Sequence, residues 1–195
     1  MLVNVKFFKI KKIILLTSFF FIVNTNAFSI DFNSKIVNNL KNTNSIKFSF
    51  NQITNDKIET GNCILLFPKK LKCIYEDDKL KELIINDKRM AIFQKRYNKV
   101  YYYPIKKSPF LKILIKNDLI EFINKSEPKI KENNINLKFI NEYSEEITVL
   151  FDAKTFDIKG WIIKDAFNNK INFLITVIDK NFRIKNDHFK IPVIN

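Results

Sequence analysis

The stretch Gly61-Asn62-Cys63-Ile64-Leu65-Leu66-Phe67-Pro68-Lys69-Lys70-Leu71-Lys72-Cys73-Ile74-Tyr75 decides the fold. Side chains along a strand alternate between faces, so two strands joined by a three-residue loop near Pro68 to Lys70 set Leu65 opposite Leu71 and Cys63 opposite Cys73. Phe67 and Tyr75 join the same side. The other face carries Asn62, Lys70 and Lys72 beside Ile64, Leu66 and Ile74; that mixture predicts partial cover. A one-residue change in the loop would send the two cysteines to opposite faces, so register decides their chemistry. The pair permits one disulfide, the alternative being two buried thiols that pack as small apolar side chains.

Working outward, alternation continues on both sides of this hairpin. Ile46 to Gln52 alternates strictly, and strands are predicted over Ile58–Phe67, Leu71–Glu76, Leu80–Ile85, Arg89–Phe93 and Lys99–Tyr103, with turns at Asn86-Asp87 and Tyr97-Asn98. Later strands are expected over Glu146–Phe151, Phe156–Lys164, Lys170–Ile178 and His188–Ile191, with a turn over Asp165–Asn169. Helical spacing marks two places. Asp31–Lys41 carries Phe32, Ile36, Val37 and Leu40 on one stripe behind Ser29 or Asp31 as N-cap, and Ser108-Pro109 introduces a short apolar helix through Phe110, Ile113 and Leu114. Leu119–Ile123 extends that helix or adds a turn, and Lys125–Asn136 reads as polar loop. About ten antiparallel strands growing as a meander make a sheet too large to stay flat, so it is expected to curl into a partial or closed barrel with helices over the open side.

Residues 1–27 have the layout of a secretory signal: Lys6, Lys9, Lys11 and Lys12, then the apolar run Ile13 to Val23, then Thr25-Asn26-Ala27 as an A-x-A-like cleavage site. The apolar run is far shorter than the ~20 residues a spanning helix needs, which argues against a retained anchor. No cysteine follows the site, so the product is expected to be a soluble exported protein and not itself acylated. Residues 28–195 suit one domain with a single core; only two glycines occur in the chain, and there is no repeat or linker.

The formal charge of +14 falls to +10 once the four signal lysines are gone. Lys, Asn, Ile and Phe rise together in this composition, which is explained by A/T-rich codons; no lysine block is interleaved with aromatics as in an RNA-binding module, so nucleic acid is not the expected partner. Two cysteines and the lone His188 make no metal site. No serine sits in a nucleophile elbow, and Glu145-Glu146 point to opposite faces of a strand or lie in a loop, so no enzyme is expected and no cofactor is implied.

The order of elements and several strings across residues 31–194 resemble the LolA family of periplasmic lipoprotein carriers. A helix followed by a strand ending in F-x-Q is similar to Asp31–Leu40 and then Phe50-Asn51-Gln52. The family hairpin resembles Gly61–Tyr75, with Leu65, Pro68, Leu71 and Tyr75 in step. The T-P-x-x-L-L helix is similar to Ser108-Pro109-Phe110-Leu111-Lys112-Ile113-Leu114. The string W-x-x-x-D-x-x-G resembles Trp161 to Asn168, and F-x-x-P resembles Phe189 to Pro192. There are departures too: the arginine before the hairpin proline, implicated in holding the lid closed, is Phe67; the hairpin tryptophan is Cys73; two turn glycines are Lys88 and Asn168.

The resemblance implies an incomplete barrel under a helical lid. Its hydrophobic cavity would shield lipoprotein acyl chains on their way from the inner to the outer membrane. On that reading the cavity walls are Phe48, Phe50, Leu65, Phe67, Leu71, Tyr75, Phe93, Tyr101 and Tyr103, and the lid is Phe110, Ile113 and Leu114; the alternative is that these residues fill a solid core. Implied partners are acylated lipoproteins, an inner-membrane lipoprotein-releasing transporter and an outer-membrane receptor, met by a monomer. A second role on the same fold is a periplasmic sensor module that binds lipoprotein or a signalling partner.

Overall fold

The computed structural model describes residues 31–87, 89–105, 111–140, 146–164 and 169–193. The signal segment 1–27, the Ser108-Pro109 helix start, Phe110, Lys88 and most of the Asp165–Asn169 turn lie outside the described residues. Among the described residues the chain forms eleven strands in one antiparallel sheet, not closed into a barrel, with helices on one face.

The first helix, α1 (Phe32–Lys41), starts where Asp31 caps it: the Asp31 carboxylate accepts from the Ser34 N–H at 3.1 Å. The Ser34 hydroxyl donates to the same carboxylate, and these two bonds, the hydroxyl's first, hold the Asp31 carboxyl below its usual range. Six strands then follow as successive hairpins: β1 (Ser45–Thr54), β2 (Lys57–Leu66), β3 (Lys70–Tyr75), β4 (Lys81–Asn86), β5 (Arg89–Gln94) and β6 (Lys99–Tyr103). After the helices α2 (Leu111–Leu114) and α3 (Lys116–Lys125) come β7 (Lys129–Lys131), β8 (Asn134–Ile140), β9 (Glu146–Asp152), β10 (Ile158–Lys164) and β11 (Lys170–Lys180).

The hairpin register is the one its alternation requires: Leu65 faces Leu71, Cys63 faces Cys73, and the loop is Phe67, Pro68 and Lys69. The sheet is not one meander, however. Its order is β6-β5-β4-β3-β2-β1-β11-β10-β9-β8-β7, two meanders joined where the first strand pairs with the last. That seam places Phe48 opposite Val177, Phe50 opposite Ile175 and Gln52 opposite Phe173.

Two other expectations are corrected. Lys125–Asn136 is not loop: β7 and β8 form a hairpin through Glu132 and Asn133, both at positive φ (50° and 69°). That geometry twists with the strands, but glutamate is not a residue that announces it. The segment His188–Ile191 is not a strand either. A 3-10 turn over Asn186–Phe189 leads the chain across the outer face of β3 and β4, where Phe189 is fully buried and Ile191 packs with Ile84, Ala91 and Val100. This supplies the cover that the mixed hairpin face calls for. Beneath it Glu82 is buried and pairs with Lys72 at 3.2 Å and with Lys95.

The inner face holds the main core. Ile36, Val37 and Leu40 of α1 and Leu119 and Ile123 of α3 pack there with Phe48, Leu65, Phe151 and Leu137. Asn33 ties the helices together by donating to the carbonyls of Ile123 and Ser126, each at 2.8 Å.

Both glycines stand where strands crowd. A Cβ on Gly61 would lie 2.1 Å from the Ile74 carbonyl oxygen and 2.8 Å from the Phe50 ring, so the ring is seated on a position that must lack a side chain. Gly61→Ala should therefore lower the free energy of unfolding by about 1–3 kcal/mol through overpacking, seen as a fall in the urea midpoint; an unchanged midpoint contradicts this packing.

His188, on the strap, is held below its ordinary value of 6.5 by burial and by Lys72, with Asp187 and Glu82 partly offsetting. As pH falls through 6.5 the unfolded chain takes up a proton that the folded chain resists, so stability declines on acidification from neutral pH. The decline should be shallower in His188→Gln, measured as melting temperature between pH 7 and 5.

Candidate functional site

The inner-facing positions of β1, β3, β10 and β11 converge on a row of rings. Tyr75 meets Phe50 edge-on at 4.9 Å, Phe50 stacks on Phe173 at 4.8 Å, and Phe173 stacks on Trp161 at 4.4 Å. Beside this row lies a hollow of about 250 Å³, lined on one wing by Leu71, Cys73, Leu83 and Met90 and on the other by Trp161, Ile163, Ile171 and Phe173. β5 and β10 are six steps apart in the sheet order. Laid flat, strands that far apart would be separated by about 29 Å at ~4.8 Å per step, so one hollow shared by both wings means the sheet wraps around it.

The lining is apolar except at one end. There Gln52 and Tyr75 meet: the Tyr75 hydroxyl donates to Gln52 Oε1 at a long 3.4 Å, and Gln52 Nε2 donates to Thr54 Oγ1 at 3.3 Å. Burial, reinforced by the Glu59 and Asp77 carboxylates, pushes the Tyr75 phenol far above its ordinary range, so it stays a neutral donor. Beyond Tyr75 opens a larger, more polar trough of about 570 Å³ that includes Ile92, Tyr101, Tyr103, Glu59, Asp77 and Lys81. The Lys81 ammonium sits 3.7 Å over the Tyr75 ring and pairs with Glu59.

The expected wall residues divide. Leu71 and Tyr75 line the hollow. Phe48, Phe50 and Leu65 share its face but are packed into the filled part of the core, Phe50 as the ring beneath Tyr75 and Phe173. Tyr101 and Tyr103 line the polar trough. Phe93 is on the other face. Asn86 pairs with Arg89, so Met90 and Ile92 turn inward and Phe93 lies opposite Glu82. Phe67 sits in the hairpin loop, partly buried against the core, with the Lys116 ammonium 5.2 Å from its ring centroid.

Of the expected lid residues, Ile113 and Leu114 are buried in the core at the hairpin end and do not line the hollow; the Leu114 carbonyl accepts from the Lys69 N–H at 3.2 Å. Phe110 lies outside the described residues. Cys63 and Cys73 face each other with Cα atoms 4.0 Å apart and are joined as a disulfide, with Cys73 in the lining.

Gln52, Leu83, Met90, Trp161, Ile163, Ile171 and Phe173 were not among the expected walls. The alternation Ile171, Phe173, Ile175, Val177 was visible in the sequence, but the pairing that carries it beside β1 is not local.

The family model for the outer membrane lipoprotein carrier protein LolA matches residues 41–192. The chain belongs to the LolA family. No curated protein sequence matches it. Among solved structures it is similar to an uncharacterized conserved protein from Thermus thermophilus, with 6% identity, 82% of this chain and 93% of that one covered, and a TM-score of 0.50. It is also similar to a LolA superfamily protein from Nitrosomonas europaea, at 7% identity, 81% and 97% coverage and a TM-score of 0.42. A third is the Pseudomonas aeruginosa MucA/MucB complex, at 10% identity, a TM-score of 0.46 and coverage of 83% of this chain but 60% of that one.

For Glu59, burial works against its charge, yet hydrogen bonds and attraction from Lys81 and Lys57 outweigh it and leave the carboxyl below its ordinary value of 4.5. Lys81→Met removes the nearer of those cations and leaves burial less opposed. The Glu59 titration followed by NMR should then move upward; no upward move would mean that Lys81 does not hold that charge.

Proposed function

We propose that this LolA-family chain is a periplasmic carrier that takes up part of a lipoprotein acyl chain in the hollow between its two wings. It would receive that cargo from an inner-membrane releasing transporter and pass it to an outer-membrane receptor. The observation that supports this most is the open apolar hollow of about 250 Å³ beside the Phe50, Phe173 and Trp161 stack, with its polar groups confined to the Gln52 and Tyr75 end. Such a lining holds hydrocarbon without direction and leaves the polar head of a ligand at the trough.

Its size sets the strength. The hollow is smaller than the ~300–1,000 Å³ of a typical ligand pocket, so it takes one chain in part. If a methylene needs about the ~30 Å³ that a water occupies, it holds about eight of them. At ~0.8 kcal/mol each that amounts to about 6 kcal/mol gross, from which the costs of association are subtracted, so the net binding is weak, as handing cargo on requires. The family's role as carriers makes binding and release, not turnover, the activity to measure.

Trp161 is the only tryptophan in the chain and lines the hollow, so it reports on occupancy directly. A brominated fatty acid should quench Trp161 fluorescence saturably, and Leu83→Asp, which puts a charge on the opposite wing, should weaken that binding at least about tenfold. A folded protein whose tryptophan is not quenched would overturn the carrier reading. Recovery from the periplasm with a signalling membrane protein and without acylated cargo would favour the sensor role instead.

A further inference from the structure

The two edges of the sheet are built differently. β7 is three residues long, with Lys129 and Lys131 on either side of Ile130, a short charged edge of the kind that discourages pairing. β6 is longer and carries a charge only at its first residue, Lys99. It spans Lys99–Tyr103, its outer side has no neighbouring strand among the described residues, and Tyr101, Tyr102 and Tyr103 are 43%, 59% and 43% exposed.

Both faces beside this edge are hollowed. On the inner face Tyr101 and Tyr103 border the polar trough of about 570 Å³. On the outer face Val100 and Tyr102, with Val193 of the C-terminal strap, border a hollow of about 350 Å³. A strand added beyond β6 would send alternate side chains to the two faces, one set toward each hollow.

Charge singles out the partner. The inner trough is mixed, with Glu59, Glu76, Asp77 and Asp78 beside Lys57, Lys79 and Lys81, so the acidic set of side chains belongs on the outer face, whose hollow is bordered by Lys99 and, among the described residues, by no carboxylate. Between Asp87 and Asp118 the sequence places nine lysines and arginines and no acidic residue. Arg96 and Lys99 are exposed beside the strand.

We propose that β6 is a docking edge that accepts an extended acidic segment of another protein as an added strand, its backbone pairing with β6 and its alternate side chains entering the two hollows. Anionic lipid would satisfy the charge but would use neither the open backbone of the edge nor the hollows on its two sides. The inner trough adjoins the acyl hollow at Tyr75, whereas the strand edge itself and the outer hollow lie apart from it, and the inference does not depend on the carrier reading.

The probe is a short capped peptide in which glutamate alternates with valine. It should bind the protein saturably, with affinity that falls as salt rises, and should slow hydrogen exchange at the backbone amides of Lys99–Tyr103. A version with lysine in place of glutamate should not bind. Methylating one of its two alternate sets of amides, which deletes the backbone donors on the pairing side, should weaken binding at least about tenfold. Arg96→Glu combined with Lys99→Glu should do the same.

The proposal is overturned if neither of the two methylated peptides binds more weakly than the parent or if β6 amides stay unprotected. It is also overturned if the edge is occupied by a second copy of the chain in sedimentation, or if phosphatidylglycerol vesicles capture the protein while the peptide does not. Trp161 quenching read on the same sample keeps failure of the edge distinct from failure of the hollow.

Discussion

Everything in this molecule depends on β1 having two neighbours at once. β1 is hydrogen-bonded to β2, which follows it in sequence, and to β11, the last strand of the sheet in chain order. Phe48 and Phe50 therefore look inward from the middle of an eleven-stranded sheet and not from an edge. The close packing at this seam explains why both glycines are spent inside strands. Gly61 leaves the space in which the Phe50 ring lies, and Gly160, at φ 138°, lets the β10 backbone approach Phe173 and Leu174. A chain with no other glycine makes its turns with left-handed Asn55, Asp87, Asn98 and Asn133 instead.

From that seam follows the division of the inner face into a filled end and a hollow end. α1 and α3 are locked to each other through Asn33, and α2 is held to the hairpin loop by the Lys69 to Leu114 bond. Their apolar side chains occupy the space over Phe48 and Leu65. Toward Tyr75 and Trp161 the lining of the hollow comes from strands alone. The rings there stack on one another, which keeps their faces in order while leaving room beside them. A sheet whose two wings wrap without closing gives an opening that no closed barrel of this strand number would need.

How much of this could be read from residues alone varies by element. The hairpin from Gly61 to Tyr75 was legible to the residue, because a period of two and a short loop leave one register that keeps both cysteines and both leucines on the same side. Local alternation also gave the first meander. Three features were hidden. Pairing of the first strand with the last is set by packing over more than a hundred residues of chain, to which no short window is sensitive. β8 alternates as Ile135, Leu137 and Phe139, yet it follows a turn whose left-handed Glu132 carries no turn signal. The parity of β5 is set by the pairing of Asn86 with Arg89, which sends Met90 and Ile92 inward; only a connection longer or shorter by one residue would send Phe93 inward instead. The site suffered accordingly: residues on the hairpin were found, and those that reach it across the seam were not.

Phe67 stands ahead of the hairpin proline, the position at which the resemblance to the family departs from an arginine. Where the family carries an arginine ahead of the hairpin proline, a donor to backbone carbonyls, this chain presents an aromatic face. The cation now comes from the other side. Lys116, at the start of α3, stands 5.2 Å from the Phe67 ring centroid and also donates to the Lys41 carbonyl at 3.5 Å and to Asn44 Oδ1 at 3.4 Å. Burial lowers the Lys116 pKa, so its charge is held under some strain from desolvation and gains from any partner that the helix keeps. A cation over a ring is less directional than a guanidinium on a carbonyl and contributes about 0.5–1 kcal/mol at a partly exposed site. The contact between hairpin and helices is therefore anchored mainly by the Lys69 to Leu114 backbone bond and by buried Ile113 and Leu114, and the Phe67 and Lys116 pair adds a weak, slideable restraint on top.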